Sequence, residues 1–495
     1  MRHSAGRSRF AMVFEPKFGM FVPLSNDEAA RIHHATLALL ERTGVKFDNE
    51  VALKLLADNG AEVDHKTRIV RIPQYLVEET IRKAQRSILF AGRDPRHDIR
   101  LSGKTVHFGT GGGAIGRIDP ITLEIRSARK SDVADACKLV DFLPNVDFAM
   151  SLFCSRDVPE ELISLHDLDA MLHNTQKPVM IVDYGTNVDY MIDMAAAVVG
   201  GREALRKRPI LGMYSEPVSP LTHSREHVNN IMKFAKAMLP VVYIPSPLMG
   251  ASSPATIAGT VVQFNAETLS GNVLMQLVSP GSPYIYGADA TVMDMRTGVF
   301  SYGAPEWMVN NLILTNLGRY YGLPTWSTGG CSDSKILDGQ ATLEAGLTLY
   351  NAAASGANLI HDFGFLDFGL TGSLELVTID DEIASYTRRT LSGENIDRAS
   401  ISLELIDKIG PGGSYLATSQ TRAVFEKDHW KPQLLDRNPR KTWEAQGKKS
   451  LVQRAAEKTK MILETHKVEP LSSQADNKIK EILLRAEKEI LGNKG

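Results

Sequence analysis

Short apolar runs and segments with the helical period alternate along the middle of this chain. The apolar runs predict seven strands: Val146–Phe153, Pro178–Tyr184, Pro209–Tyr214, Val241–Ser246, Pro283–Gly287, Thr325–Thr328 and Ala357–Phe363. Between them lie segments with helical spacing of apolar residues, for example Glu226–Met238 and Glu306–Tyr321. Consecutive strands that are joined by helices must run parallel to one another.

An eighth strand would close this repeat into a barrel. Two segments could supply it, namely Val106–Gly109 or the residues after Phe368. The sequence therefore predicts an α/β fold of the (β/α)8 TIM barrel type.

The two ends of the chain depart from the alternation. Ser25 to Glu28 form an N-cap with an acidic first turn, and apolar positions at helical spacing follow. After Gly410 the chain becomes more charged, and Ser450–Leu491 indicates a surface helix that packs around the barrel or dimerises. We predict an N-terminal helical cap (1–103), a catalytic barrel (104–410) and a C-terminal helical extension (411–495).

Composition narrows the class of protein. With 495 residues, 43% hydrophobic and 23% charged, the chain can bury a large core. The net charge of -2 leaves no electrostatic footprint for nucleic acid or an anionic membrane, so neither is an expected partner. Three cysteines without a CxxC pair suit a reducing cytoplasm, where we expect the protein. Long amphipathic ends are compatible with a homo-oligomer.

Polar residues crowd into the turn and helix start that follow the strand at Thr325. A barrel keeps its active site where strand ends open into loops, so these residues are candidates for chemistry. Cys331 and Asp333 are the candidate catalytic residues, although no histidine adjoins Cys331 in sequence to activate its thiol. Four others would orient the loop: Lys335, Asp338, Gln340 and Glu344. The alternative for the acidic members is a helix cap and a solvated face.

Aromatic and acidic residues recur at the ends of different predicted strands. The candidates for substrate binding are Tyr184, Tyr214, Tyr286, Phe363 and Phe365 with Glu216 and Asp289, and Asp183 and Asp362 have similar positions. A quaternary ammonium has no N–H to donate, so its recognition falls to ring faces and carboxylates. Either Arg156 or His361 could hold a carboxylate of the same ligand. The alternative is that the rings only plug the barrel mouth.

Two other kinds of site have weaker support. The glycine run Phe108–Gly116 resembles a phosphate loop, but a hairpin rather than a helix is predicted after it. His107, Cys154, Cys331 and His361 could converge on zinc, although they lack ligand spacing such as CxxC. We therefore expect no bound metal and keep a zinc-dependent barrel as an alternative.

Four motifs together carry a family resemblance. They are the G-x-S-D-x-K-x-x-D-x-Q-A core at Gly330–Ala341, Ser155-Arg156-Asp157, the PVSPL run at Pro217–Leu221, and NAE-x-LSG at Asn265–Gly271. With them the chain resembles the trimethylamine:corrinoid methyltransferase superfamily over essentially its whole length. Cys331 stands where the methanogen trimethylamine enzymes carry pyrrolysine, so the chain looks like a member of the non-pyrrolysine branch.

The resemblance implies a reaction and a partner. In that branch a methyl group passes from a quaternary amine, with glycine betaine as the first expectation, to the Co(I) corrinoid of a separate corrinoid protein. Proline betaine, carnitine and γ-butyrobetaine are alternative substrates, and a quaternary-amine-binding barrel without turnover is an alternative function. The chain has no DxHxxG motif for cobalamin, so we expect no tightly bound cofactor.

Overall fold

Eight short parallel strands form the centre of the molecule. The structure is a computed structural model, and it describes residues 14–17, 21–185, 188–287 and 289–492. The strands are β1 (His107–Thr110), β2 (Ala149–Met150), β3 (Val179–Val182), β4 (Leu211–Ser215), β5 (Val241–Tyr243), β6 (Tyr284–Ile285), β7 (Trp326–Thr328) and β8 (Leu359–Phe363).

The eight strands form a closed ring. Ladders of parallel pairs join β2 through β6 and join β7 to β8 and β8 to β1. Single bridges complete the ring, from Gly109 to Phe148 beside β2 and from Tyr286 beside β6 to Thr325. The predicted (β/α)8 barrel is confirmed, and its eighth strand is His107–Thr110 rather than the segment after Phe368.

One long helix follows each strand and packs on the outside of the ring. These helices are α1 (Lys130–Phe142), α2 (Ile163–Asn174), α3 (Val188–Val199), α4 (Arg225–Ala237), α5 (Ile257–Val278), α6 (Pro305–Tyr320), α7 (Gly339–Ser355) and α8 (Leu374–Leu391), with a short helix Arg202–Lys207 after α3. In the described ranges, no helix combines the length and the apolar character that a membrane crossing requires.

The N-terminal segment covers the outer side of α5. Its helices Asn26–Arg42, Glu50–Asp58 and Gln74–Lys83 all contact α5, which explains why α5 is buried on nearly every side. Strands Val45–Phe47, Glu62–Asp64 and Ile69–Arg71 form a small sheet with Thr222–His223. The segment predicted as a helical cap thus contains strands as well.

A hairpin closes the amino-terminal end of the barrel. It consists of Ile88–Phe90 and Ile99–Leu101. The N–H of Ala91 donates to the carbonyl of Pro209, just before β4, at 2.9 Å. The Phe90 ring lies 6.5 Å from the ring of Phe148, just before β2. The hairpin therefore plugs the interior of the barrel at this end.

The C-terminal segment wraps around the helices of the barrel. It contains Arg398–Ile401, Leu403–Ile409, Ser419–Lys427, Arg440–Ala445, Leu451–Thr465 and Ser473–Leu491. Leu451–Thr465 packs on α8 and α1, and Ser473–Leu491 packs on α3. The surface helix predicted at Ser450–Leu491 is therefore two helices that both lie against the barrel.

Two small sheets stand over the carboxyl-terminal ends of the strands. One contains Leu248–Met249, Thr291–Asp294 and Val299–Ser301. The other contains Phe365–Leu366, Thr371–Gly372, Gly116–Ile118 and Ile125–Ser127. The second includes the hairpin predicted after the glycine run, so that run leads into strands and not into a phosphate-binding helix.

Gly329 lets β7 and α7 come together. A Cβ at this position would lie 2.8 Å from Cα of Leu349 and 2.9 Å from the carbonyl oxygen of Thr348, both backbone atoms of α7. We expect Gly329→Ala to lower the free energy of unfolding by about 1–3 kcal/mol, because the helix must move outward.

Gly346, on α7 itself, is the matched control. A Cβ there meets nothing within 4 Å, so Gly346→Ala should raise the free energy of unfolding by about 0.5–1 kcal/mol through helix propensity. Thermal unfolding midpoints of both variants and the wild type test the pair. Equal midpoints for Gly329→Ala and wild type would contradict the close-packing argument.

Candidate functional site

A cavity of about 490 Å³ opens at the carboxyl-terminal ends of the strands. Its walls come from most of the barrel strands and from the loops above them. The lining residues are Gly112, Met150, Val182, Asp183, Tyr184, Tyr214, Ser215, Glu216, His227, Ser246, Leu248, Asp289, Thr291, Phe300, Tyr302, His361, Asp362 and Phe365. This is the end at which barrel enzymes hold their substrates.

Aromatic rings form much of the wall. Tyr214 and Phe365 are buried, whereas Tyr184 is 39% exposed and lies at the rim. Below the cavity, the buried Trp326 ring lies 5.6 Å from Tyr214 and 4.4 Å from His361. The faces of such rings attract cations through their quadrupoles.

Four carboxyl groups share the cavity, from Asp183, Glu216, Asp289 and Asp362. Ser246 connects two of them, because its hydroxyl donates to Glu216 at 2.9 Å and lies 3.2 Å from Asp289. Glu216 also accepts a short hydrogen bond from the Tyr214 hydroxyl. Asp289 accepts one from the indole N–H of Trp307 at 3.2 Å. Acceptors therefore dominate the polar surface of the site.

Burial perturbs the acidity of these groups. Removal from water, together with the nearby charges of Asp362 and Glu216, raises the pKa of Asp289 to about 7 against the opposing effect of His361. Desolvation also raises the pKa of Asp183. A carboxyl group that titrates near neutrality will ionise more readily when a cation enters the cavity.

A β-bulge in β8 determines which of its residues face the cavity. Ile360 pairs with Phe108 and Phe363 pairs with Thr110, so β8 has one residue more than β1 in this interval. Asp362, in that interval, has a φ of +86°, which is strained for a residue other than glycine. As a result, the consecutive residues His361 and Asp362 both line the cavity.

The bulge overturns the expectation for Phe363. Regular alternation would place Phe363 on the same face as His361. Instead the Phe363 side chain is completely buried and stacks on Phe108 with 5.7 Å between ring centroids, and it does not line the cavity. Asp362 occupies the place that was expected for Phe363.

Tyr286 and Arg156 also lie off the cavity wall. Tyr286 is completely buried, and its hydroxyl donates to Asn265 on α5 at 2.8 Å, so it points out of the barrel. Arg156 is exposed and absent from the wall. Among the described residues the wall contains no lysine or arginine, and the basic side chains on it are His227 and His361.

Asp333 holds a hairpin over the cavity. Its carboxylate accepts from the N–H groups of Tyr302 at 2.8 Å and Gly303 at 3.0 Å, and from the Ser301 hydroxyl. Since Tyr302 and Phe300 line the cavity from this hairpin, Asp333 shapes the wall without reaching it. The contacts of Asp333 are thus with this hairpin, and the catalytic role expected for it stays a prediction.

The other polar residues after β7 support Asp333. Glu344 accepts from the N–H of Asp333 at 2.9 Å and from the Gln340 side chain at 3.0 Å. Lys335 donates to the carbonyl of Asp333 at 2.8 Å. Asp338 is the N-cap of α7 and accepts from the N–H of Ala341 at 3.0 Å. These four residues hydrogen-bond within the loop or at the start of α7, and the loop-orienting role expected for them stays a prediction.

Cys331 lies behind the cavity. Its side chain is completely buried and does not contribute to the wall. Burial raises the pKa of its thiol well above the usual range, and nearby carboxyl groups add to the effect. The thiolate that nucleophilic chemistry requires is therefore disfavoured.

The zinc alternative requires a cluster of metal ligands. Within the part of the chain that the structure describes, no three His, Cys, Asp or Glu side chains are arranged to hold a metal ion. His107, Cys154, Cys331 and His361 thus do not form a zinc site there.

Several residues of the cavity wall were not predicted from the sequence, and Tyr302 and His227 are two of them. Tyr302 directly follows the second strand of the hairpin formed by Thr291–Asp294 and Val299–Ser301, and the signal for it was the pair of alternating runs around the turn at Gly298. His227 lies on α4, where helical spacing gives no indication that its ring reaches the cavity. Its Nδ1 lies 2.8 Å from the backbone oxygen of Glu216, which fixes the ring over that strand end.

The fold and cavity define a barrel protein whose site is built from aromatic rings and carboxylates. A family model described as "Trimethylamine methyltransferase (MTTB)" matches residues 2–491. The chain therefore belongs to the trimethylamine methyltransferase family, and it is a methyltransferase by that membership.

Individual relatives agree with this membership. The trimethylamine methyltransferase MttB of Desulfitobacterium hafniense (strain DSM 10664 / DCB-2) is 36% identical over 466 residues, which is 94% of each chain. A glycine betaine methyltransferase of Desulfitobacterium hafniense (strain Y51) is 29% identical over 482 residues, covering 96% of this chain and 98% of that protein.

A solved structure supports the fold. The crystal structure of the Methanosarcina barkeri monomethylamine methyltransferase (MtmB) has a TM-score of 0.51 to this chain at 12% sequence identity. The match covers 97% of this chain and 93% of that one. At this identity the likeness concerns the arrangement of the barrel and its flanking helices alone.

The acidity of Asp289 predicts a pH dependence of cation binding. The pKa of Asp289 is raised to about 7, so at a pH below this value the carboxyl is mostly protonated. A bound cation favours its ionised form. The affinity for tetramethylammonium should therefore rise with pH through this value, by up to about tenfold per unit on the acid side. Calorimetric titrations between about pH 5.5 and about pH 8.5 measure it.

Asp167 offers the matched control for this experiment. Burial also raises its pKa to about 7, but its carboxyl bonds to Ser155 and does not line the cavity. Asp289→Asn should flatten the pH profile, whereas Asp167→Asn should keep it. An unchanged profile in Asp289→Asn would assign the dependence to another group.

Proposed function

We propose that this protein transfers a methyl group from a quaternary ammonium compound, with glycine betaine as the first candidate, to the Co(I) corrinoid of a separate corrinoid protein. One observation carries the proposal, namely a cavity at the catalytic end of the barrel whose wall combines aromatic rings with four carboxyl groups and no lysine or arginine among the described residues. Such a wall suits a cation, and its ring faces suit one that has no N–H group to donate.

Two physical contributions favour a cation in this cavity. Each ring face contributes about 0.5–2 kcal/mol to binding of a desolvated cation, and several rings surround this cavity. The carboxyl groups attract the same charge more strongly here than in water, because the surroundings have a low effective dielectric constant. A neutral ligand of the same shape would gain neither contribution.

His227 is the candidate partner for the carboxylate of a betaine. Its Nδ1 donates to the backbone oxygen of Glu216 at 2.8 Å, and Nε2 can donate to a ligand carboxylate when both ring nitrogens carry protons. His227 is only partly buried, so it is suitably placed for a betaine whose carboxylate lies near the mouth of the cavity. Arg156, at first expected to do this, is exposed beyond the wall. Proline betaine, carnitine and γ-butyrobetaine share the same two charged groups.

Methyl transfer from a quaternary ammonium requires no general acid or base from the protein. The methyl carbon forms a bond with the electron pair of Co(I) while its bond to nitrogen breaks, and nitrogen keeps that pair and leaves as a neutral tertiary amine. No proton has to be supplied to this leaving group. The residues of the cavity instead hold the ammonium, exclude water and aim one methyl group at the mouth.

Trimethylamine is the second candidate substrate. The observation in its favour is that the trimethylamine methyltransferase relative is more similar, at 36% identity, than the glycine betaine methyltransferase relative at 29%. Against it stands Cys331, since the resemblance places pyrrolysine there in the methanogen trimethylamine enzymes. A panel of substrates separates the two candidates.

Methyl transfer can be followed in the visible spectrum of the corrinoid. The full chain is mixed with a corrinoid protein held as Co(I), and glycine betaine, proline betaine, carnitine, γ-butyrobetaine and trimethylamine are added separately. We expect conversion to methyl-Co(III) with one betaine and none with trimethylamine. A corrinoid protein shown to be competent with another methyltransferase provides the control.

Other outcomes have distinct meanings. Conversion with trimethylamine alone would replace the first candidate by the second. No conversion with any amine, together with saturable binding of a betaine, would support a binding barrel without turnover. No conversion and no binding would refute the proposed function for this set of compounds.

Cys331 and Asp333 should respond differently to substitution. Cys331→Ala should keep kcat/KM within about threefold of wild type, because the thiol is buried and protonated behind the wall. Asp333→Ala should lower kcat/KM about 10- to 100-fold, because it frees the hairpin that carries Tyr302. Initial rates of methyl transfer measure both. A loss above about 100-fold in a folded Cys331→Ala variant would make the thiol a reactant.

A further inference from the structure

The four carboxyl groups of the cavity differ in how they are satisfied. Asp183 accepts from the Ser215 hydroxyl, the Asn230 amide and the N–H of Gly185, each at 2.9 Å. Glu216 and Asp289 accept from tyrosine, serine and tryptophan donors as described above. Each of these three groups therefore has hydrogen-bond donors from the chain itself.

Asp362 is the exception on this wall. Its side chain is 1% exposed, and neither of its carboxylate oxygens has a hydrogen-bond partner among the described residues. Its Oδ1 lies 2.8 Å from Nδ1 of the adjacent His361, but that nitrogen also lacks a hydrogen bond. A buried carboxylate without donors is costly, so a group in a native structure needs a reason to be kept this way.

The backbone carries a second cost at the same residue. The bulge in β8 and the φ of +86° turn the Asp362 side chain into the cavity, where regular pairing would send it toward the helices. Strain of this kind persists where the surrounding structure enforces it and is concentrated at ligand sites. The missing hydrogen bonds and the backbone strain both occur at Asp362, and both are explained if this residue contacts a ligand.

We infer that Asp362 is the counter-ion of the substrate ammonium group, with the bulge at His361 and Asp362 serving to present to that cation a carboxylate that accepts no hydrogen bond from the described residues. The inference rests on the proposed function only for its substrate class. A quaternary ammonium cannot donate a hydrogen bond, so a carboxylate that faces it receives no donor from the ligand and needs none from the protein. The other three carboxyl groups act as acceptors in the wall.

A kinetic consequence separates this role from a catalytic one. The positive charge of the ammonium is lost as the methyl group leaves, so Asp362 stabilises the bound substrate more than the transition state. Removing its charge should raise KM while leaving kcat unchanged or higher. A residue with only a structural role would not produce that division.

The variant Asp362→Asn removes the charge of this side chain and keeps its shape. Asparagine adopts a positive φ more readily than most residues, so the bulge should survive. Calorimetry with the purified full chain compares three probes: tetramethylammonium, glycine betaine, and 3,3-dimethylbutanoate, in which a neutral tert-butyl group replaces the trimethylammonium. We expect Asp362→Asn to weaken binding of both ammonium compounds by about tenfold or more and to leave 3,3-dimethylbutanoate unchanged or bound more tightly.

Asp380→Asn is the matched control. Asp380 is also completely buried, and its carboxyl accepts from the N–H of Gly364 at 2.9 Å, but it lies on α8 behind the cavity wall. This variant should bind all three probes as the wild type does. Its thermal unfolding midpoint and that of Asp362→Asn show whether either substitution disturbs the fold.

Several results would overturn the inference. Wild-type affinity for the ammonium compounds in Asp362→Asn, an equal loss of all three probes, or no binding of either ammonium compound to the wild type would each do so. The binding experiment needs no corrinoid protein. Failure of methyl transfer with intact, charge-dependent binding would therefore refute the proposed function and leave the role of Asp362 standing.

Discussion

The closure of β8 onto β1 is the constraint on which the rest of the structure depends. Asn358, buried just before β8, donates to the carbonyl of Thr105, which lies 253 positions earlier, at 2.8 Å. The same side chain accepts from the N–H of Thr325 at 2.9 Å, and the Asn358 carbonyl accepts from the N–H of His107 at 2.9 Å. One amide side chain thus joins the starts of β7, β8 and β1, and the hairpin at Ile88–Leu101 can then plug the end they form.

Once the ring is closed, each strand position faces either the cavity or the helices, and the bulge in β8 is the exception that shapes the site. It adds Asp362 to the wall and turns Phe363 away. The resulting concentration of carboxyl groups is tolerable because hydrogen bonds satisfy most of them and because a raised pKa keeps Asp289 from adding a permanent charge at acidic pH. The cavity is therefore prepared for a cation before one arrives.

Much of the barrel could be read from the sequence, because short apolar runs and helical periods are local properties of the chain. Six of the residues expected at the site do line the cavity: Tyr184, Tyr214, Glu216, Asp289, His361 and Phe365. They share the position at a strand end, which a barrel brings to one side. Tyr286 has the same kind of position but bonds to Asn265 on α5, and only the packing of the helix against the strand decides that.

The amino-acid sequence by itself determined the strand and helix order, the placement of polar residues after strands, and the motif set that indicates the family. Tertiary structure decided which segment is the eighth strand, that Asp333 bonds to Tyr302 instead of lining the cavity, and that Asp362 faces the cavity. The physical reason is that facing and pairing depend on register between strands distant in sequence, and a single extra residue in one strand reverses which side chains point inward.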